Sequence, residues 1–142
     1  MTALVIDHIQ ITVKDIQVAE AFHDKLMPIL GFDLRDKVRA EIPEHDLIVV
    51  EYLHPAFDFG ICSPRSAFSR DSIHRRKPGS LHHLAFRAQS RQEVDQFYAQ
   101  LQAIGAWIVH PPRLFPEHGP HYYACFFKDP DGIKYEIVHI GR

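Results

Sequence analysis

The feature that most constrains this chain is that it is written twice. Sliding the sequence on itself by 75 positions brings His8 onto His83, Asp15 onto Ser90, Phe22 onto Phe97, Leu26 onto Leu101 and Ile29 onto Ile104. Gly31 meets Gly105 with one residue of slippage. Each matched pair has a structural meaning, so the repeat describes a folding module. Asp15 and Ser90 carry short side-chain oxygens suited to a helix N-cap, and Ser90-Arg91-Gln92-Glu93 is a capping box. Apolar residues at helical spacing follow each cap: Val18, Phe22, Leu26 and Ile29, then Val94, Phe97, Tyr98, Leu101 and Ile104. Gly31 and Gly105 close the two helices, and Pro28 distorts the last turn of the first.

Residues 4–13 and 81–88 precede the helices and alternate in the manner of strands. After the helices, strands are predicted near 32–38, 46–53 and 57–62, and again near 106–110, 121–128 and 133–140. Asp129-Pro130-Asp131-Gly132 is a tight-turn signal between the last two. The predicted fold is therefore α+β, with two tandem βαβββ modules. Module one spans 1–62, a Pro-, Ser- and Arg-bearing linker spans 63–80, and module two spans 81–142, all in one domain.

The 142 residues are 46% hydrophobic and 24% charged, with a formal net charge of −2. That balance excludes a general nucleic-acid binder and a membrane-surface protein. Arg75-Arg76-Lys77 is too short a cluster to change this and reads as a solvated loop. No apolar run nears the roughly 18 residues that would cross a bilayer. The opening Met-Thr-Ala-Leu-Val-Ile-Asp-His lacks the basic head of a signal peptide. The only cysteines, Cys62 and Cys125, make no disulfide framework, so a cytoplasmic location is expected. Histidine is the unusual residue, with 11 copies, and invites a search for metal ligands.

Alternation assigns the histidines to a face. Ile9, Ile11 and Val13 share one side of the first strand, and His8, Gln10 and Thr12 share the other. In the second copy Leu84, Phe86 and Ala88 oppose His83, Ala85 and Arg87. The apolar sides belong against the helices, which leaves His8 and His83 on the polar sides. Repeat phase selects His83 over its neighbour His82. A single strand histidine is ordinarily structural, but two at equivalent places in paired modules can converge. Glu136, in the otherwise apolar Ile133-Lys134-Tyr135-Glu136-Ile137, is the carboxylate to complete such a site, because burying it alone is costly. Two imidazoles and a carboxylate suit one divalent Fe, Zn, Ni, Mn or Co ion with positions left open for a chelating substrate.

Asp7-His8-Ile9, His82-His83-Leu84-Ala85-Phe86 and Asp129-Pro130-Asp131-Gly132 followed by Tyr135-Glu136 together resemble the vicinal oxygen chelate superfamily. Its members include glyoxalase I, extradiol dioxygenases, fosfomycin-resistance enzymes, methylmalonyl-CoA epimerase and bleomycin-binding proteins. The resemblance implies paired modules curled around a cleft, metal on the cleft floor, a small-molecule substrate, and a homodimer. It implies a metal-dependent enzyme of the lactoylglutathione lyase-like kind, acting on vicinal oxygens. An Fe(II) extradiol-type dioxygenase and a metal-free binding or resistance protein are the alternatives. The fourth ligand of glyoxalase I falls on Gly60, with Asp58 two residues earlier on the same face. The extradiol order of His, acid-Pro-x-Gly and Glu is met by His118, Asp129-Pro130-Asp131-Gly132 and Glu136. Phe126 stands where that order expects Tyr, with Tyr122 and Tyr123 nearby. In such a cleft His118 and His121 are the acid-base candidates, and Arg87 is a candidate anion contact. Gln10, Tyr122, Tyr123 and Phe126 are expected to line the substrate pocket.

Overall fold

Residues 1–141 are described by a computed structural model, and each half of the repeat forms its own mixed sheet with a helix against it. The first half contains β1 (His8–Thr12), α1 (Ile16–Ile29), β2 (Val38–Ile42), β3 (Leu47–Tyr52) and β4 (Asp58–Cys62). The second contains β5 (His83–Arg87), α2 (Arg91–Ala103), β6 (Trp107–Leu114), β7 (Tyr123–Lys128) and β8 (Lys134–His139). The strand orders are β1-β4-β3-β2 and β5-β8-β7-β6, the same order twice. The opening strand lies parallel to the closing strand in both, and the remaining pairs are antiparallel. Contacts divide the chain into a first unit, Met1–Ile73, and a second that begins at His74. The boundary falls inside the predicted linker, where the only regular element is a 3-10 turn at Ser66–Phe68.

The caps behave as their chemistry requires. The Asp15 carboxylate accepts from the backbone N–H of Gln17 and Val18 at 2.9 and 3.1 Å. Ser90 Oγ accepts from Glu93 N at 3.0 Å, while the Glu93 carboxylate reaches back to Gln89 N, one residue ahead of the cap. Pro28 stands inside the last turn of α1, and the chain leaves through Gly31 at φ +99°. Only a residue without a Cβ takes that backbone without strain.

Three expectations need correction. No strand covers 32–38: Asp33 caps a 3-10 turn at Leu34–Asp36 and pairs with the Arg35 guanidinium, which delays β2 until Val38. The first strand opens at His8, not at residue 4, because its ladder with β4 begins with His8 opposite Asp58. The buried stripe of α1 is Ile16, Ala19, His23, Leu26 and Met27, and Val18 is exposed. A histidine in the middle of that stripe hid it from a reading by residue type.

In the first sheet Ile11, Val50, Tyr52, Phe59 and Ile61 are buried on the face that carries α1. In the second, Cys125, Phe127, Tyr135 and Ile137 are buried on the α2 face with Val94 and Leu101. The opposite face of the second sheet has its own apolar cluster of Phe115, Ala124, Phe126 and Val138. Strand β6 is irregular, with register shifts on either side of His110. Pro111 and Pro112 follow it, and neither can donate to the ladder.

Candidate functional site

Strand pleat decides what faces what. In the first unit His8 and Gln10 project from the side of β1 that does not carry the helix, and the register partner of Gln10 is Gly60. His8 Nδ1 lies 2.7 Å from Asp7 Oδ1, and this hydrogen bond raises the histidine pKa. An Nδ1–H held by a carboxylate leaves the Nε2 lone pair outward, which is the tautomer a metal requires. Beside it is a polar hollow of about 150 Å³ lined by His8, Gln10, Glu51, Asp58 and Gly60. Gln10 Nε2 donates to Glu51 Oε1 at 2.9 Å. A Cβ on Gly60 would come within 2.9 Å of Gln10 Cγ, so the glutamine lies across the glycine. Asp58 accepts from His54 N at 3.0 Å and so fastens the turn before β4. Glu51 was not foreseen. It interrupts the apolar Leu47–Tyr52 as Glu136 interrupts its own strand, and that signal could have found it.

In the second unit Glu136 sits in mid-strand on β8 and is 1% exposed. The Tyr122 hydroxyl donates to its Oε1, and burial together with this bond raises the phenol pKa. The other oxygen, Oε2, lies 3.6 Å from His83 Nε2, too far for a good hydrogen bond. Ligand atoms about 2.1 Å from a shared ion stand about 3 to 3.5 Å apart, so the spacing fits a cation held by both. His83 Nδ1 is 2.7 Å from His82 Nδ1. When His83 donates in that pair, its Nε2 lone pair faces Glu136. The donor chemistry of both histidines therefore suits a divalent ion. Among the described residues, however, no group of three or more His, Cys, Asp or Glu side chains is assembled closely enough to hold one.

Glu136 and His83 line a cavity of about 530 Å³ with His82, His110, Arg113, Phe115, Glu117, His118, Tyr122, Phe126 and Lys134. Its volume is in the range of small-molecule sites. Tyr122, Phe126 and His118 thus line the same cavity as Glu136 and His83, with the His118 ring stacked on Phe115 at 6.1 Å and 5.1 Å from Tyr122. His121 does not line this cavity; it borders a separate hollow with Gly119, Pro120 and Ile140. Arg87 is exposed at the end of β5, beyond the cavity lining. Tyr123 turns to the helix side, where its hydroxyl donates to Asp95 at 2.7 Å. It is one residue out of phase with Ala124 and Phe126, which pleat alone would have shown. Gln10 belongs to the first unit's hollow. His110, Arg113, Phe115 and Lys134 were not anticipated, because the bulged strand β6 does not alternate regularly in sequence.

The model of the Glyoxalase/Bleomycin resistance protein/Dioxygenase superfamily matches residues 5–137. The protein YqjT of Bacillus subtilis (strain 168) is 30% identical over 131 residues, 92% of this chain and 95% of that one. Among solved structures, a glyoxalase/bleomycin resistance protein from Albidiferax ferrireducens T118 is 29% identical. The match covers 94% of this chain and 97% of the other, with a TM-score of 0.64. A glyoxylase/bleomycin resistance protein/dioxygenase domain from Frankia sp. EAN1pec, 21% identical, matches 99% of this chain and 100% of its own with a TM-score of 0.75.

Proposed function

The chain belongs to the glyoxalase/bleomycin resistance protein/dioxygenase superfamily, and from that premise we propose a divalent-metal-dependent enzyme that acts on a small substrate chelated through two neighbouring oxygens. His8, His83 and Glu136 are the proposed ligands. The observation that carries the reading is Glu136: a carboxylate 1% exposed, faced among the described residues by the Tyr122 hydroxyl and the His83 ring and by no Lys or Arg ion pair, is a costly arrangement unless an ion is shared. When bound, a divalent ion supplies Lewis-acid polarisation of the two substrate oxygens.

The chain's own residues then have defined tasks. Tyr122 holds one oxygen of Glu136 and aims the other at His83. Asp7 and His82 fix the rings of His8 and His83 through Nδ1. His118, packed on Phe115, is placed to take or return a proton on the substrate. Phe115 and Phe126 keep that part of the cavity apolar. Lyase or isomerase chemistry is the first reading. An Fe(II) extradiol-type dioxygenase is the second, favoured by the Tyr122 hydroxyl at Glu136, which supplies from a neighbouring position the phenol missing at Phe126.

Elemental analysis of purified wild type, His8→Ala and Glu136→Ala tests the ligand set. About one equivalent of metal is expected in the wild type and little in either variant. Full retention in both variants rejects these ligands. Oxygen uptake with catechol after anaerobic Fe(II) loading separates the second reading from the first. A homodimer is part of the proposal, supported by the exposed apolar Leu4, Val5 and Ile6, and light scattering measures it.

A further inference from the structure

Lys134 lines the cavity of the second unit, and the metal reading gives it no task. It opens β8 and projects from the same strand face as Glu136, two residues on. Register sets it directly abreast of His83 on one side and of Lys128 on the other. Lys128 packs on its own register partner in β6, with its ammonium 4.6 Å from the Trp107 ring centre, and is not part of the cavity lining. Lys134 is half-buried, and its ammonium lies 5.4 Å from the Phe126 ring centre. Phe126 is the register partner of Glu136. The ammonium therefore leans toward the Glu136 rung of the sheet, over an aromatic face that orients a cation without neutralising it.

Among the described residues Lys134 forms no ion pair with a carboxylate, Glu136 included. An ammonium and a buried carboxylate that share a strand face and a cavity, yet do not touch, leave a place between them for a charged ligand. Charge decides its kind. Histidines aside, the charged groups of the lining are Glu136, Glu117, Lys134 and Arg113, which cancel. A divalent ion added at Glu136 and His83 then leaves two positive charges to be met. The walls of Phe115, Tyr122 and Phe126 solvate unmet charge poorly.

We propose that Lys134 is a specificity-determining residue: it donates to an anionic oxygen held beside His83 and Glu136, and so makes the cavity select its ligand as a dianion. The count of two charges rests on the metal reading above; the ammonium's choice of an anionic oxygen does not.

The test titrates metal-loaded protein, by calorimetry, with oxalate and with oxamate, a planar molecule of nearly the same size in which an amide replaces one carboxylate. Elemental analysis of the same samples reads the metal. Lys134→Gln is expected to weaken oxalate at least about tenfold, the strength of a hydrogen bond to a charged group, and to leave oxamate close to wild type. Lys134→Arg keeps the charge and should keep most of the preference for oxalate, which a variant that had merely failed to fold would not. If Lys134→Gln loads metal normally and weakens both probes equally, or neither, the proposal is overturned and the metal reading stands. If the wild type loads no metal, that reading fails, and the same titrations of metal-free protein decide. A preference for oxalate over oxamate that disappears in Lys134→Gln then supports the role of Lys134, and its absence overturns it.

Discussion

At the scale of single residues, Tyr122 and Gly60 show how much one side chain settles. Tyr122 stands outside β7, in the turn that leads into it, yet its hydroxyl satisfies the buried Glu136. Tyr122→Phe removes that donor without changing shape and leaves a carboxylate oxygen buried alone, a loss of about 1 to 3 kcal/mol in a neutral background. The expected result is a lower unfolding midpoint in urea and roughly tenfold weaker metal affinity, the usual cost of losing an outer partner. Competition against a chromophoric chelator measures the affinity, and unchanged affinity would separate Tyr122 from the site. Glu136 was legible in sequence because an acid in an apolar strand stands out. Tyr122 as its partner was not, because the contact depends on how a turn returns the chain. Gly60 was seen as a missing ligand, but what replaces it, Gln10 laid across it toward Glu51, needed coordinates.

At the scale of elements, the hairpin between β7 and β8 is the best-marked local structure. Asp129 is 2% exposed. It accepts from the backbone N–H of Asp131 and Ile133 at 2.9 Å each, and from the Tyr135 hydroxyl at 3.0 Å. Burial still pushes its carboxyl up to about 6. The folded protein therefore keeps this proton at pH values where the unfolded chain has already released it. This stabilisation is complete near pH 4 and is lost as the pH rises through about 6. Asp129→Asn lacks the titration. Its stability relative to wild type should rise by up to about 3 kcal/mol between pH 4 and pH 7, measured by urea unfolding across that range. A difference that stays flat with pH would remove Asp129 as its source.

The turn, the caps at Asp15 and Ser90 and both helices were legible because each is governed by residues within a few positions. Strand β2 was misplaced for the same local reason, since the Asp33–Arg35 pairing won over strand propensity. The buried face of α1 was read one residue early, at Val18 and Phe22 in place of Ala19 and His23, because His23, 1% exposed and bonded to Ala19 O at 2.7 Å, does not look apolar in a sequence.

At the scale of the whole molecule, the duplication predicted two sheets of one topology, and the structure has them. Repeat phase carried that inference, since His8 and His83 occupy equivalent places at the openings of β1 and β5. The cavity lining was less legible. Arg113 and His110 come from a strand whose register shifts at prolines, so period-two counting fails there. Under the proposed ligand set, His8, His83 and Glu136 hold one ion. Chelation is then expected to lower the melting temperature, and saturating metal at 100 times its Kd should restore about 2.7 kcal/mol. The same shift should vanish in His8→Ala and in Glu136→Ala alike. Differential scanning fluorimetry with and without EDTA reads it, and a shift that survives in both variants assigns the stabilising ion to another place. Among the described residues no helix is long and apolar enough to cross a membrane.

Among the described residues each opening strand is hydrogen-bonded to a single strand, the last of its own module. His8 pairs in register with Asp58, and His83 with Lys134. A nascent chain leaving the ribosome thus exposes each histidine-bearing segment for about fifty residues of synthesis before its berth exists, several seconds at ordinary translation speeds. Helices and hairpins close within microseconds once their residues are available. Under the proposed ligand set, metal capture is then a closing event in biogenesis, and a chain stalled before β8 emerges would have the β6–β7 pair of its second sheet but no partner strand for β5, leaving His83 undocked.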